Sequence, residues 1–129
     1  MEFAEKCRML DGLLGVGCSF DMVSRDLRVG GRRGRLWVVN GYAEDALLER
    51  AVRCLQAVPP LDVACTPEEL VERYVTVCDA AVCQEKMQAV TEVFSGKTLL
   101  VVEGFSGGIL MDAKQLPTRS VQEPDAGKV

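Results

Sequence analysis

SGKTLLVVEGFSGGILMDAKQLPTRSVQEP, residues Ser95 to Pro124, is the stretch on which the reading of this chain turns. Its apolar run Leu99–Val102 lies between Ser95-Gly96 and Gly104, which predicts a strand over Thr98–Glu103 that is buried on both faces. Gly104–Gly108 predicts a tight turn, Ile109–Ala113 a second strand, and the remainder an extended polar tail. The same turn, GFSGG, also matches the G-x-S-x-G pattern of a hydrolase nucleophile elbow. An elbow needs a helix after the serine and a base to take the hydroxyl proton. The residues after Ser106, GGILMDAK, have a strand pattern instead, and the chain contains no histidine. A Ser-Lys pair would have to draw on Lys97, Lys114 or Lys128, and nothing in their spacing speaks for one. Ser106 is therefore read as a turn residue, in a turn that needs positive φ at one or two positions. No enzyme is expected.

The missing histidine also removes Cys-His catalysis, histidine-ligated metals and histidine pH switching. A chain of 129 residues, 48% hydrophobic and 26% charged, describes one globular domain with a real core. Its net charge of −4 argues against nucleic acid as a partner. Cys7, Cys18, Cys54, Cys65, Cys78 and Cys83 form no CxxC and no paired knuckle, so zinc is not expected and reduced thiols are. There is no apolar run of about 18 residues to cross a membrane, and the N-terminus lacks a signal peptide's basic start. Gly15-Val16-Gly17 is half a dinucleotide fingerprint, but it precedes a strand and lacks the third glycine. Gly96-Lys97-Thr98 mimics the end of a Walker A loop, yet Thr91 stands where the upstream glycine belongs and the segment enters a strand. No cofactor is expected.

Working along the chain, Phe3, Cys7, Leu10 and Leu14 predict an amphipathic helix over residues 1–14, ended by Gly15 and Gly17. Phe20–Val29 predicts a strand whose alternation breaks at Val23-Ser24, a place for a bulge or a local shift in facing. Gly30-Gly31 with Arg32 and Arg33 reads as a turn, and Arg35–Asn40 as the returning strand of a hairpin. The basic cluster Arg32, Arg33, Arg35 is either a solvated loop tip or a site for acidic lipid headgroups or an acidic partner. Glu44–Ala57 predicts a helix with Leu47, Leu48, Ala51, Val52 and Leu55 inward. Thr66-Pro67-Glu68-Glu69 starts another, through Tyr74, with a capping box. Val75–Asp79 is assigned to a strand and Cys83–Phe94 to a helix with an apolar stripe of Met87, Val90, Val93 and Phe94. Glu103, at the end of a buried strand, is either an exposed terminus or a partner for Arg119.

LWVVNGY (Leu36–Tyr42) and LLVVEGF (Leu99–Phe105) echo each other, as two central strands with equivalent exits would. Together these elements predict an α/β fold: a mixed sheet of about four to five strands with helices packed on it. Residues 1–116 form the domain, and 117–129 an extended linker. A small-ligand pocket at the two strand exits, Asn40-Gly41-Tyr42 and Glu103-Gly104-Phe105, is a second functional reading.

In combination, Phe94-Ser95-Gly96, Leu99–Val102, Glu103-Gly104-Phe105, Ile109–Asp112 and the closing Arg119-Ser120-Val121-Gln122-Glu123-Pro124 resemble the A-subunit family of bacterial spore germinant receptors. Gly17-Cys18-Ser19-Phe20-Asp21 with Arg25, and Leu36–Gly41 followed by Asp45, bring the chain nearest to the stage V sporulation AF group of that family. Asn40 departs from the family's usual aspartate before glycine, and Glu103 is a second departure. The resemblance implies a first soluble subdomain of a longer membrane protein, leading through residues 117–129 toward a second subdomain and the membrane region. It implies a place on the cytoplasmic side of the spore inner membrane and a role in complex assembly or signal relay. Its partners would be other subunits of a germination or sporulation complex, or a second copy of itself. By the same resemblance Arg119, Glu123 and Pro124 would join this domain to the next, and the small-ligand alternative becomes binding of a germinant-type molecule.

Overall fold

Every residue of the strand β4 (Thr98–Val102) is buried, so neither face of the sheet at its centre can be left to solvent. The computed structural model describes residues 2–17, 21–39, 45–60, 65–75 and 79–112. They form helix α1 (Phe3–Leu14), strands β1 (Met22–Val29) and β2 (Arg32–Val39), and helices α2 (Asp45–Gln56) and α3 (Pro67–Tyr74). Strand β3 (Asp79–Cys83), helix α4 (Lys86–Phe94), β4 and strand β5 (Gly108–Asp112) complete the order. The strands lie β1-β2-β4-β5-β3 across one sheet. The α/β class and the strand number agree with the sequence. The sheet is antiparallel in every pairing rather than mixed: β1–β2 and β4–β5 are hairpins, and β2–β4 and β3–β5 pair antiparallel across longer connections.

Period-two alternation divides the core into two layers. Leu36 and Val38 of β2, Leu100 and Val102 of β4, and Ile109 and Met111 of β5 pack with Ala51, Val52 and Leu55 of α2 and Leu70 of α3. Their neighbours Trp37, Val39, Leu99, Val101 and Leu110 point the other way, to Cys7, Leu10 and Leu14 of α1 and Ala89, Val90 and Val93 of α4. The echoing strands β2 and β4 are thus neighbours at the sheet centre. They run antiparallel, so their C-terminal ends lie at opposite ends of the pair and do not form one exit pocket. Asn40, Gly41 and Tyr42 lie outside the described residues.

Most helix boundaries follow their caps. Gly15 ends α1 in the left-handed region at φ 75°, and Thr66 and Glu69 form the expected capping box, the Glu69 N–H donating to Thr66 Oγ1 at 3.2 Å. Of the two readings of β1, the shift in facing holds rather than the bulge, because pairing runs unbroken from Met22↔Val39 to Val29↔Arg32. The broken alternation is a change of covered face, with Met22 in the α1/α4 layer and Leu27 and Val29 in the α2/α3 layer. Phe20 lies outside the described residues.

Between residues 75 and 94, three assignments differ from the sequence reading. The third strand is Asp79–Cys83, not Val75–Asp79, because the backbone from Asp79 to Cys83 pairs with β5 while the Val75 N–H still closes α3 onto the Val71 carbonyl at 3.3 Å. Pairing here outweighs the helical preference of Ala80 and Ala81. The fourth helix starts at Lys86, where Glu85 caps it by accepting the Met87 N–H at 3.1 Å, and Cys83 belongs to the strand. Its inward stripe is Ala89, Val90 and Val93, while Met87 and Phe94 sit on a flank at 50% and 38% exposure.

The GFSGG turn is explained by close approach. Gly104 and Gly107 have φ of 90° and 81°. A Cβ on Gly107 would lie 2.8 Å from the Cys83 carbonyl oxygen, and one on Gly108 2.7 Å from Leu99 Cδ1. Ser106 is exposed, and β5 rather than a helix begins after it. Gly107→Ala is expected to lower stability by about 1–3 kcal/mol, whereas Ser106→Ala should stay within about 0.5 kcal/mol of wild type. Urea denaturation of the two variants side by side checks the contrast.

Candidate interaction face

The two-residue turn Gly30-Gly31, with φ of 58° and 82°, fixes the register of the β1–β2 hairpin. Arg32 and Arg33 therefore belong to β2 rather than to the turn, and Arg33 faces Arg28 directly across the ladder, with Asp26 opposite Arg35. Arg33 and Arg35 share the α1 side of the sheet with Trp37, and the half-buried Arg32 between Arg33 and the turn points to the other face.

Arg35 is neutralised twice. Its Nε donates to Asp26 Oδ1 at 2.7 Å and its Nη1 to Asp11 Oδ2 at 3.0 Å. The Asp26 hydrogen bond is the main reason its pKa rises, so the guanidinium stays charged. The other oxygen of Asp11 accepts the indole Nε1–H of Trp37 at 2.8 Å. One α1 carboxylate thus fastens that helix to the sheet centre and satisfies the only side-chain N–H of a fully buried tryptophan.

Arg28 and Arg33 have no such neutralisation. Like charges directly opposite on a ladder repel. Among the described residues, neither forms an ion pair: Arg28 Nη1 donates to the Gly31 carbonyl at 3.3 Å, and the Arg33 guanidinium lies over the Phe3 ring, 5.0 Å from its centroid. Both are exposed. They border an open groove of about 640 Å³ that also takes in Phe3, Asp26, Arg35 and Gln56.

On the opposite face of β2, Arg32 lies over the Phe105 ring at 5.1 Å and donates to the Glu103 carbonyl at 3.4 Å. The exposed Glu103 extends the β2–β4 ladder, its N–H donating to the Arg33 carbonyl at 2.8 Å and its Oε1 accepting the Arg33 N–H at 3.4 Å. Arg32, Arg33, Arg35 and Glu103 are therefore brought to one end of the central strands. Arg119, Glu123 and Pro124 lie outside the described residues, so of the two readings of Glu103 the pairing with Arg119 falls there too, while its exposure fits the strand terminus. Arg28 and Asp11 do not stand out in the sequence. A two-residue Gly-Gly turn would have indicated the Arg28–Arg33 pairing, whereas nothing local marks Asp11 as the partner of a tryptophan on another element.

Asp11→Ala is expected to cost about 1–3 kcal/mol by leaving the Trp37 N–H unpaired, and Asp11→Asn distinctly less, because an amide oxygen can still accept. Chemical denaturation followed by Trp37 fluorescence separates the two. Cys7, in the same layer, has its thiol pKa raised chiefly by burial. A thiol pKa raised on folding adds stability that is complete below the unfolded value and is lost as pH climbs through the folded one. Stability should therefore fall on the alkaline side, and Cys7 should be alkylated after the partly exposed Cys54 and Cys65, as mass spectrometry of a timed iodoacetamide reaction would read.

Comparison with known proteins places this geometry among relatives. The profile of the Bacillus/Clostridium GerA spore germination proteins matches residues 8–129. Stage V sporulation protein AF of Bacillus subtilis (strain 168) is 30% identical over 121 residues, a match that covers 90% of this chain and 24% of that protein. The chain thus spans about a quarter of the length of that curated relative. The crystal structure of the N-terminal domain of the A subunit of the Bacillus megaterium spore germinant receptor GerK3 shares the fold, with a TM-score of 0.63 at 14% identity, covering 88% of this chain and 94% of that one.

Proposed function

This chain belongs to the GerA family of spore germination proteins, and from that membership we propose that it is a non-enzymatic N-terminal domain acting in the assembly of a germination complex at the spore inner membrane, on its cytoplasmic side. Its partners are other subunits of that complex, met through the end of the hairpin. No helix among the described residues is long and apolar enough to cross a membrane. In this reading Arg119, Glu123 and Pro124 would join the domain to the next subdomain.

The observation that carries the reading is the Arg28–Arg33 pair. A fold that places two guanidinium groups across one ladder, exposed and without a carboxylate partner among the described residues, forgoes stability to present charge. Arginine is suited to bind carboxylates in a two-pronged fashion, and the neighbouring Phe3 ring holds one of the two guanidinium groups in place. The complementary surface is an acidic segment on a partner subunit. Arg32 and Glu103, on the adjoining edge, extend the contact area.

Two measurements on one substitution test this. Arg28→Glu creates an opposite-charge pair with Arg33 and should raise stability by about 0.2–1 kcal/mol. In spores carrying the substitution in the full-length protein, co-purification of the other receptor subunits should fall while the protein's own abundance does not. A stabilised variant that co-purifies as well as wild type at every salt concentration would remove the hairpin from the assembly surface.

A further inference from the structure

On the α1/α4 side of the sheet, between α1, α4 and β4, the structure holds a half-open pocket of about 190 Å³. Its wall is apolar, from Met9 and Leu10 of α1, Ala89 of α4, and Leu99 and Val101 of β4, and the backbone of Gly107-Gly108 borders it. One charged group is set into that wall. Lys6 of α1 donates from Nζ to the Phe105 carbonyl at 3.2 Å and to the Gly107 carbonyl at 3.5 Å. An ammonium has three donors, and these two acceptors are neutral. Among the described residues no carboxylate pairs with Lys6, although five ion pairs occur elsewhere in those residues. Burial lowers its pKa, outweighing an opposing charge interaction with Cys7, the direction expected of a cation whose hydration is removed. Lys86 at the rim extends toward the Met9 sulfur, 3.9 Å away, and is exposed.

Each feature limits the occupant. A neutral hydrocarbon would fill the apolar part and leave Lys6 uncompensated. A phosphate or nucleotide would place multiple charges against Met9, Leu10 and Leu99. The size limits it too: an apolar cavity of about 150 Å³ holds a benzene ring, so this one has room for such a body and one small polar group. We propose that the cavity binds a small monocarboxylate with a ring or short-chain apolar body, its carboxylate paired with Lys6. The Phe105 and Gly107 carbonyls hold the ammonium at the mouth, and the glycines at 107 and 108 keep side chains out of the floor. The proposal does not rest on the arginine face as an assembly surface, and either reading could fail without the other.

The probe is benzoate, titrated into the isotope-labelled 129-residue chain and followed by amide NMR shifts. Saturable binding with a Kd of about 1 mM or tighter is expected, with shifts at Cys83, Ala89, Gly107 and Gly108. Benzyl alcohol, with the same ring and no charge, and acetate, with the charge and no ring, should each bind at least about tenfold more weakly. Lys6→Gln retains donors for both carbonyls, and should cost benzoate at least about tenfold and abolish its advantage over benzyl alcohol. Ala89→Leu should block binding by filling the cavity. Absence of saturable shifts at these amides in the wild-type chain overturns the proposal, as does equal binding of benzyl alcohol. Unchanged benzoate affinity in Lys6→Gln does the same, and this variant leaves the core untouched.

Discussion

A strand with no solvent face constrains everything around it. All five residues of β4 are buried, so the chain must supply one apolar layer for Leu100 and Val102 and another for Leu99 and Val101. Helices α2 and α3 supply the first, α1 and α4 the second. Burying apolar surface at about 25 cal/mol per Å² makes each of these side chains worth roughly 1.5–3 kcal/mol, far more than the exposed ion pairs at the rim. The hairpins flanking β4 are shaped to the same end. On one side a two-residue turn sets β2 against β1, and on the other Gly107 and Gly108 let β5 and the end of β3 close in where a Cβ would collide with the Cys83 carbonyl or Leu99.

Much of this is legible in the residues, and where it is not the cause is physical. LLVV at 99–102 announces a two-faced strand because four consecutive apolar residues have no polar side to offer. Thr66 and Glu69 announce a helix start because the capping box is a local hydrogen-bond arrangement. The strand Asp79–Cys83 is displaced in a sequence reading because its identity comes from β5, a partner far along the chain, and Ala80-Ala81 carry no strand preference of their own. The direction of the sheet is likewise set by pairing rather than by composition.

The candidate site divides along the same line. Arg32, Arg33, Arg35 and Glu103 stand out as charges beside turns, and the fold gathers them at one end of β2 and β4. Their separate roles depend on register. A shift that places Arg33 on a strand makes it the neighbour of Arg28, while Arg35 is taken up by Asp26 and Asp11. Of three arginines that look alike in sequence, one is structural, one braces the β4–β5 turn through Phe105, and one is left facing solvent with Arg28. The GFSGG pattern shows the converse: a motif that mimics chemistry is accounted for by two backbones passing too close for side chains.

Helix α1 rests on the sheet through polar clamps at separate points. Asp11 grips Arg35 and Trp37, Phe3 lies beneath Arg33, and Lys6 reaches the carbonyls of Phe105 and Gly107. A rigid helix fastened in this way behaves as a crossbar. Displacing it at Lys6 loads the contacts at Asp11 and Phe3, and pulling on the hairpin loads the turn after β4. Lys6 lies between Phe3 and Asp11 along that crossbar, so a ligand at Lys6 that preferred one position of α1 would change binding at the hairpin by the same factor, and the reverse.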